Sequence, residues 1–532
     1  MTEIVMSQTP PILHGPSEKE KKYDRQLRLW AASGQAALES ADILLINSGP
    51  GTVGVETLKN LVLPGIGRFT IVDERVVDES DLGVNFFLDE DCLGKQRSQC
   101  CTELLQELNP EVEGDWFPKQ QGNVDLKEIL ASSPTIYTLI MYTFPIKPED
   151  LATIEEYGRH NSTPVIAIHS AGFYSYFRIN LPGAFPIVDT HPDVEKTVDL
   201  RLTQPWPELV QFAQDMTQNI DSLDDHDHGH LPYVVILLHY LEKWKAAHDG
   251  EYPTEYKAKI EFRKAVAAAA RTDNAEGGEE NFAEAVAAVN RSVKKPQLES
   301  TLREVFEHQL TSEAERGSSF WVIANAIKKF YETHGCLPLP GSLPDMKALS
   351  KVYVKLQGIY KAKARKDAHE VLEIARATPG GENVDPAEVD MFCKNASFVK
   401  LVNATDDGRD LLKVYGKSEK ENDKLAAEMM LPASSLSIYL ALSATSHTSA
   451  ASADEIMAEI RGRLPSAADD MRVQEAAQEV ARAAAGELHD VSAVVGGMVA
   501  QEAIKIITKQ YIPIDNTCIF DGIRSRCQVI RL

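Results

Sequence analysis

Basic charge is scarce in this chain of 532 residues: 55 Lys and Arg stand against 79 Asp and Glu, a formal net charge of −24. That balance argues against a nucleic-acid backbone or an anionic membrane as partner, since either would be repelled rather than neutralised. Cysteine is scarce too. The seven thiols, Cys92, Cys100, Cys101, Cys336, Cys393, Cys518 and Cys527, are odd in number, scattered, and free of C-x-x-C spacing. They predict neither a disulfide framework nor a zinc site. Free thiols fit a reducing compartment, so cytoplasm or nucleus is the expected location. The N-terminus shows no apolar signal core, and no apolar run reads as long enough to cross a membrane. The chain is too long for one core, so two or three domains are expected.

What is present is concentrated between Ala41 and Asp73. Ile43 to Ile46 form a short continuous apolar run, as a parallel strand buried on both faces requires. Gly49-Pro50-Gly51-Thr52-Val53-Gly54 fits G-x-G-x-x-G and leads into apolar residues at helical spacing (Val55, Leu58, Leu61-Val62), stopped by Pro64-Gly65. A second β run, Phe69 to Val72, delivers Asp73 where a ribose-binding acid belongs. Glycines at Gly49, Gly51 and Gly54 let backbone N–H groups approach a phosphate at a helix N-terminus. The pattern predicts a Rossmann-like βαβ unit.

Around it, residues 1–20 read as a flexible lead. Lys21 to Trp30 forms an amphipathic helix on which Arg25 and Arg28, by spacing alone, are solvated charges. A helix from Ser98 to Leu108, β runs at Ile136–Phe144 and Pro164–His169, and Phe173–Leu181 predict a mostly parallel, doubly wound sheet up to residue 205. Residues 206–485 read as a large helical insert, including a long helix at Lys351–Leu372 with a basic outer face. The acidic loop Asp224 to His230 reads as the approach to a helix rather than a metal cluster. From 486 to 532 the first pattern resumes, with a helix over Val491–Lys509, whose Gly496-Gly497 permits close packing, and two β runs that could extend the sheet edge.

Several segments together resemble one family. Tyr23-Asp24-Arg25-Gln26-Leu27, the glycine turn, Leu61 to Gly67 and Asp73 resemble the adenylation fold (ThiF/MoeB type) of ubiquitin-activating enzymes. Asp199-Leu200-Arg201-Leu202, Pro205 to Leu209, Pro344-Asp345-Met346, Lys355-Leu356-Gln357, Ala500-Gln501-Glu502 and Ile504 to Lys509 are similar to the regulatory subunits of NEDD-8 (Rub)-activating enzymes, the amyloid precursor protein-binding protein one family. In that family one half binds ATP and magnesium, adenylates the modifier and captures it on a cysteine, while the other half supports it.

The resemblance implies that this chain is the supporting half. None of its cysteines lies in the Pro-x-Cys-Thr loop of catalytic halves, so the insert resembles a catalytic-cysteine domain without its cysteine. The fourth strand ends at Tyr142-Thr143-Phe144, without the carboxylate that holds magnesium. Leu88 stands where a phosphate-binding Arg is expected, and Arg97 where a Lys is expected. Gly49, Gly51, Gly54, Asp73 and Arg97 are therefore expected to be a vestigial nucleotide pocket, with no metal site and with ATP and magnesium in the partner. By the same resemblance Arg25 is expected to reach the partner's ATP in trans. The implied partners are the cysteine-bearing subunit, the NEDD-8 modifier and, transiently, a conjugating enzyme, in a pathway ending in cullin modification. The alternatives are the corresponding SUMO-activating subunit, a self-sufficient NAD- or ATP-using Rossmann enzyme, and a pure scaffold.

Overall fold

The structure, a computed structural model, describes residues 17–273, 278–310, 313–402, 411–428, 434–448 and 451–532. The chain forms two compact units, one of residues 1–187 with 402–532 and one of residues 188–401.

An eight-stranded sheet organises the first unit. Its strands are β1 (Asp42–Ile46), β2 (Arg68–Val72), β3 (Glu113–Phe117), β4 (Leu139–Thr143), β5 (Val165–Ala171), β6 (Tyr174–Asn180), β7 (Thr517–Asp521) and β8 (Arg526–Ile530), in the order β8-β7-β6-β5-β4-β1-β2-β3. Strands β3, β2, β1, β4 and β5 run parallel, with Leu44 opposite both Thr70 and Ile140. From β5 outward the pairing turns antiparallel, and the C-terminal pair joins through β6, with Tyr176 opposite Ile519. The C-terminal segment thus extends the sheet edge, as its pattern suggested. Edge strand β3 escapes a reading from hydrophobic pattern because Glu113-Gly114-Asp115 gives no apolar alternation and the strand is only partly buried.

Period-two alternation in β1 divides two cores. Ile43 and Leu45 join Val53, Leu58, Val495 and Val499 on one face. Leu44 and Ile46 join Leu440, Ile456, Val473 and Ala477 on the other. Helices Leu436–Ser443, Ala453–Arg463 and Met471–Ala483 therefore belong to the α/β unit. The expected boundaries at 205/206 and 485/486 lie elsewhere, at 187/188 and 401/402. Sequence showed only helical periodicity here; the sheet's second apolar face, which needs a covering layer, decides where those helices go.

Helix His489–Thr508 packs on helix Thr52–Val62, where a Cβ on Gly496 would lie 2.8 Å from Glu56 Cβ and 2.9 Å from the Thr57 nitrogen. Gly497 faces open space. By length and composition, with a mean hydropathy of 1.4, His489–Thr508 is apolar enough to cross a membrane, which corrects the expectation that no such run exists. Its apolar surplus is spent on the core: 67% of that stretch is buried inside the protein. Of the expected 1–20 lead, residues 1–16 lie outside the described residues, while Glu18–Lys22 is a short helix capped by Ser17.

The second unit is largely helical. Its longest helix, Ser350–Arg376, ties together two cores, with Leu356 and Tyr360 in one and Ala368, Val371 and Ala375 in the other. Lys351, Lys355, Lys361, Arg365 and Lys366 on that helix are exposed. In the acidic loop Asp224 caps a short helix, Asp225–His228, and His228 turns inward to meet Glu279 at 2.6 Å. Asp224, His226 and Asp227 could bring ligand atoms within 4.8 Å of one another, but all three are exposed.

Candidate functional site

The glycine turn sits where β1 gives way to helix Thr52–Val62, as its pattern requires. Gly49 and Gly51 have φ of +60° and +66°, and a Cβ on Gly51 would fall 2.2 Å from Asn47 Nδ2. Only glycine fits there. Asn47 follows the last residue of β1, Asp73 follows β2, and beside them opens a cavity of about 130 Å³ lined by Asn47, Gly49, Asp73, Arg75, Lys147 and Asp150, among others. This is the crevice outside the carboxyl ends of the strands, where such folds bind ligands.

Both anchors of that crevice are occupied by the chain itself. Arg97, fully buried at the start of helix Arg97–Leu108, grips Asp73 with two bonds, Nε to Oδ2 at 2.7 Å and Nη2 to Oδ1 at 3.1 Å. It also donates to Asp81 at 3.0 Å and to the Gly49 carbonyl at 2.8 Å. Asp73 Oδ2 takes a further bond from Asn47 at 3.0 Å, and Oδ1 one from the Arg75 N–H at 3.0 Å. With two donors on each oxygen, the carboxylate keeps no lone pair for a ribose hydroxyl. Burial alone would push the Arg97 guanidinium down, but Asp73 and Asp81 more than offset this and hold its pKa above the usual value.

The other anchor is the helix N-terminus. Glu487, buried just before helix His489–Thr508, places Oε2 at 2.7 Å from the Val53 N–H and accepts the Ser492 hydroxyl at 2.8 Å. Burial pushes the Glu487 carboxyl up to about 7, against the pull of Ser492, the Val53 N–H and the Arg97 charge. A raised carboxyl keeps its proton longer folded than unfolded, so its share of stability is present below about pH 4.5 and lost as pH rises through about 7. Between pH 5.5 and 8 the wild type is expected to lose about 2 kcal/mol relative to E487Q. Urea unfolding of both proteins at the two pH values measures the gap; a constant gap would refute the coupling.

At the end of β4, Thr143 Oγ1 accepts the Ser48 N–H at 2.7 Å and donates to the Ser48 carbonyl at 3.0 Å. A hydroxyl spent on the backbone offers no anionic ligand to magnesium. Leu88, in place of a phosphate-binding Arg, is buried in the core. These two positions thus offer magnesium no carboxylate and a phosphate no guanidinium. Of the cysteines, all but Cys527 are buried, and all seven are free. Cys336 meets the Arg201 guanidinium at 2.9 Å, but burial still pushes the thiol up, the reverse of what a nucleophile needs.

Arg25 lies apart from this pocket's anchors, exposed on helix Asp24–Glu39, and among the described residues it has no hydrogen-bond or ion-pair partner. Arg28, by contrast, pairs with Asp24 at 2.9 Å. The segment is pinned on both sides of Arg25. The buried Tyr23 hydroxyl receives Asn109 at 3.1 Å, and the buried Trp30 carbonyl receives Gln510 at 3.0 Å. The expected helix over Lys21–Trp30 is broken at Tyr23 (φ −106°, ψ 17°), between helices Glu18–Lys22 and Asp24–Glu39; beyond its end a kink at Trp30 and Ala31 (φ +55°) leaves the Trp30 carbonyl to accept from Gln510.

Comparison with known proteins decides the family. The ThiF family model matches residues 23–532. The NEDD8-activating enzyme E1 regulatory subunit of Xenopus laevis is 35% identical over 534 residues, covering 95% of this chain and 97% of the relative. The chain belongs to this family of regulatory subunits. The Drosophila melanogaster member is 34% identical, covering 99% and 100%, and the Arabidopsis thaliana member, regulatory subunit AXR1, is 32% identical, covering 97% of each. The adenylation-type α/β reading holds, and these relationships give no support to the SUMO-type or self-sufficient NAD- or ATP-using alternatives. Sequence reasoning placed Gly49, Gly51, Gly54, Asp73 and Arg97 in one pocket, where the structure joins Gly49, Asp73 and Arg97 directly and packs Gly51 and Gly54 on Asn47. It missed Asn47, Asp81 and Glu487, and Glu487, 434 positions from its partner Val53, carries no local signal.

Proposed function

We propose that this chain is the regulatory, catalytically inactive half of a heterodimeric NEDD8-activating enzyme. Its cysteine-bearing partner holds ATP and magnesium, adenylates the modifier and carries it as a thioester. A conjugating enzyme engages transiently, and the modifier goes on to cullins. The chain itself holds no cofactor productively and takes neither nucleic acid nor membrane as partner, and it works in the cytoplasm or nucleus. The observation that carries this reading is the end-to-end relationship to NEDD8-activating enzyme E1 regulatory subunits.

Within this reading Arg25 is the residue that acts. A guanidinium carried on a segment held at Tyr23 and Trp30, and left without an internal partner among the described residues, is free to meet phosphate oxygens across an interface. R25A is expected to slow ATP–pyrophosphate exchange by the assembled heterodimer about 10²-fold. Heterodimer formation, followed by size-exclusion chromatography, stays intact because Arg25 supports no core contact. Unchanged exchange would reduce the chain to a scaffold. Failure of a cysteine-bearing subunit to co-purify from native extract would overturn the assignment itself.

A further inference from the structure

We propose that Glu487 is a built-in substitute for a nucleotide phosphate, its carboxylate filling the anion seat of the glycine turn and closing that turn to nucleotide. The inference rests on the reading above that this chain holds no cofactor, and gives that reading a physical cause. A glycine turn feeding an 11-residue helix presents unpaired N–H groups and the positive end of the helix dipole. In a nucleotide-binding fold a phosphate satisfies them. Here the Val53 N–H bonds to Glu487 instead, and the Ser492 hydroxyl steadies the carboxylate.

Two further observations agree. Thr52, the first residue of the helix, is buried and its hydroxyl finds no partner among the described residues, a polar group at the seat left over once a carboxylate with two oxygens takes the place of a phosphate with more. At the far end of the same crevice Arg97, Asn47 and the Arg75 N–H saturate Asp73, so the ribose anchor is closed by the chain as well. Both substitutions are of like for like: carboxylate for phosphate, and guanidinium, amide and backbone N–H for ribose hydroxyls. Orphaned donors and a buried acid would otherwise be left unpaired once the ligand is gone. The glycine turn can then keep its shape with no ligand.

The test uses the isolated full chain, and so lacks the partner's ATP site. It is run at pH 8, where the Glu487 carboxyl is ionised, with inorganic pyrophosphate as the probe and sodium chloride matched for ionic strength. Wild type is expected to show no thermal shift with 10 mM pyrophosphate. E487A, with the seat vacated, is expected to gain about 2–4 °C. E487Q keeps the packing volume and an acceptor oxygen but loses the charge; it is expected to gain a smaller shift, and it carries the test if alanine prevents folding. If neither variant gains a shift and wild type also shows none, the substitution by Glu487 is refuted while the closed pocket stands. A wild-type shift equal to that of E487A refutes both.

Discussion

R97A is expected to destabilise the α/β unit by about 3–5 kcal/mol, the cost of stripping the partner from a buried charge. The Arg97, Asp73 and Asp81 side chains are 0%, 1% and 3% exposed, so neither carboxylate can turn to water when the guanidinium is removed. R97K keeps the charge but not the fork, since one ammonium cannot hold both Asp73 oxygens, Asp81 and the Gly49 carbonyl; it is expected to recover only part of the loss. A double-mutant cycle identifies the cause. D73N is expected to cost much less in the R97A background than in the wild type, because the unpaired charge it removes is then a liability. Urea midpoints for the four proteins measure this, and an R97A loss below about 1 kcal/mol would show that the crevice is wet and the pair dispensable.

The second large effect is expected at adjacent glycines with opposite signs. In a helix interior alanine is better than glycine by about 1 kcal/mol, so G497A, which faces open space, is expected to stabilise by roughly that amount. At Gly496 the same methyl meets Glu56 and the Thr57 backbone at 2.8–2.9 Å, and backbone cannot step aside without moving helix Thr52–Val62. G496A is expected to cost about 1–3 kcal/mol, the range of core overpacking, and G496L more. Thermal unfolding of the single variants reads the difference. Equal effects at the two positions would mean that the helices do not approach as closely as the structure places them. Because that contact also sets the glycine turn against Glu487, G496L is expected to disturb the turn as well.

Much of this could be read from the chain alone. The strand–glycine turn–helix–strand unit was legible because every element in it is local: an apolar run, a glycine spacing, a helical period, an acid at a fixed distance. That β4 ends without a carboxylate and that Leu88 stands where an Arg is expected followed from the family resemblance; the burial of Leu88 came only with the structure. The basic outer face of the Ser350–Arg376 helix was legible from local spacing as well.

The insert's extent was not legible in that way. Helices at 436–443, 453–463 and 471–483 have an ordinary amphipathic pattern, and such a pattern says that a face must be covered without saying by what. Nor was β3 legible, as an edge strand spared full burial.

The sequence by itself therefore determined the kind of fold and the position of its crevice, at the glycine turn and Asp73. Tertiary structure alone decided what became of the crevice: Arg97 turned onto Asp73 and Asp81, and Glu487 came from the far end of the chain to the N-terminus of helix Thr52–Val62. The reason is physical. Backbone conformation is governed by neighbours in sequence, whereas a buried charge or an orphaned N–H is satisfied by whatever group the packing brings within about 3 Å, at any sequence distance.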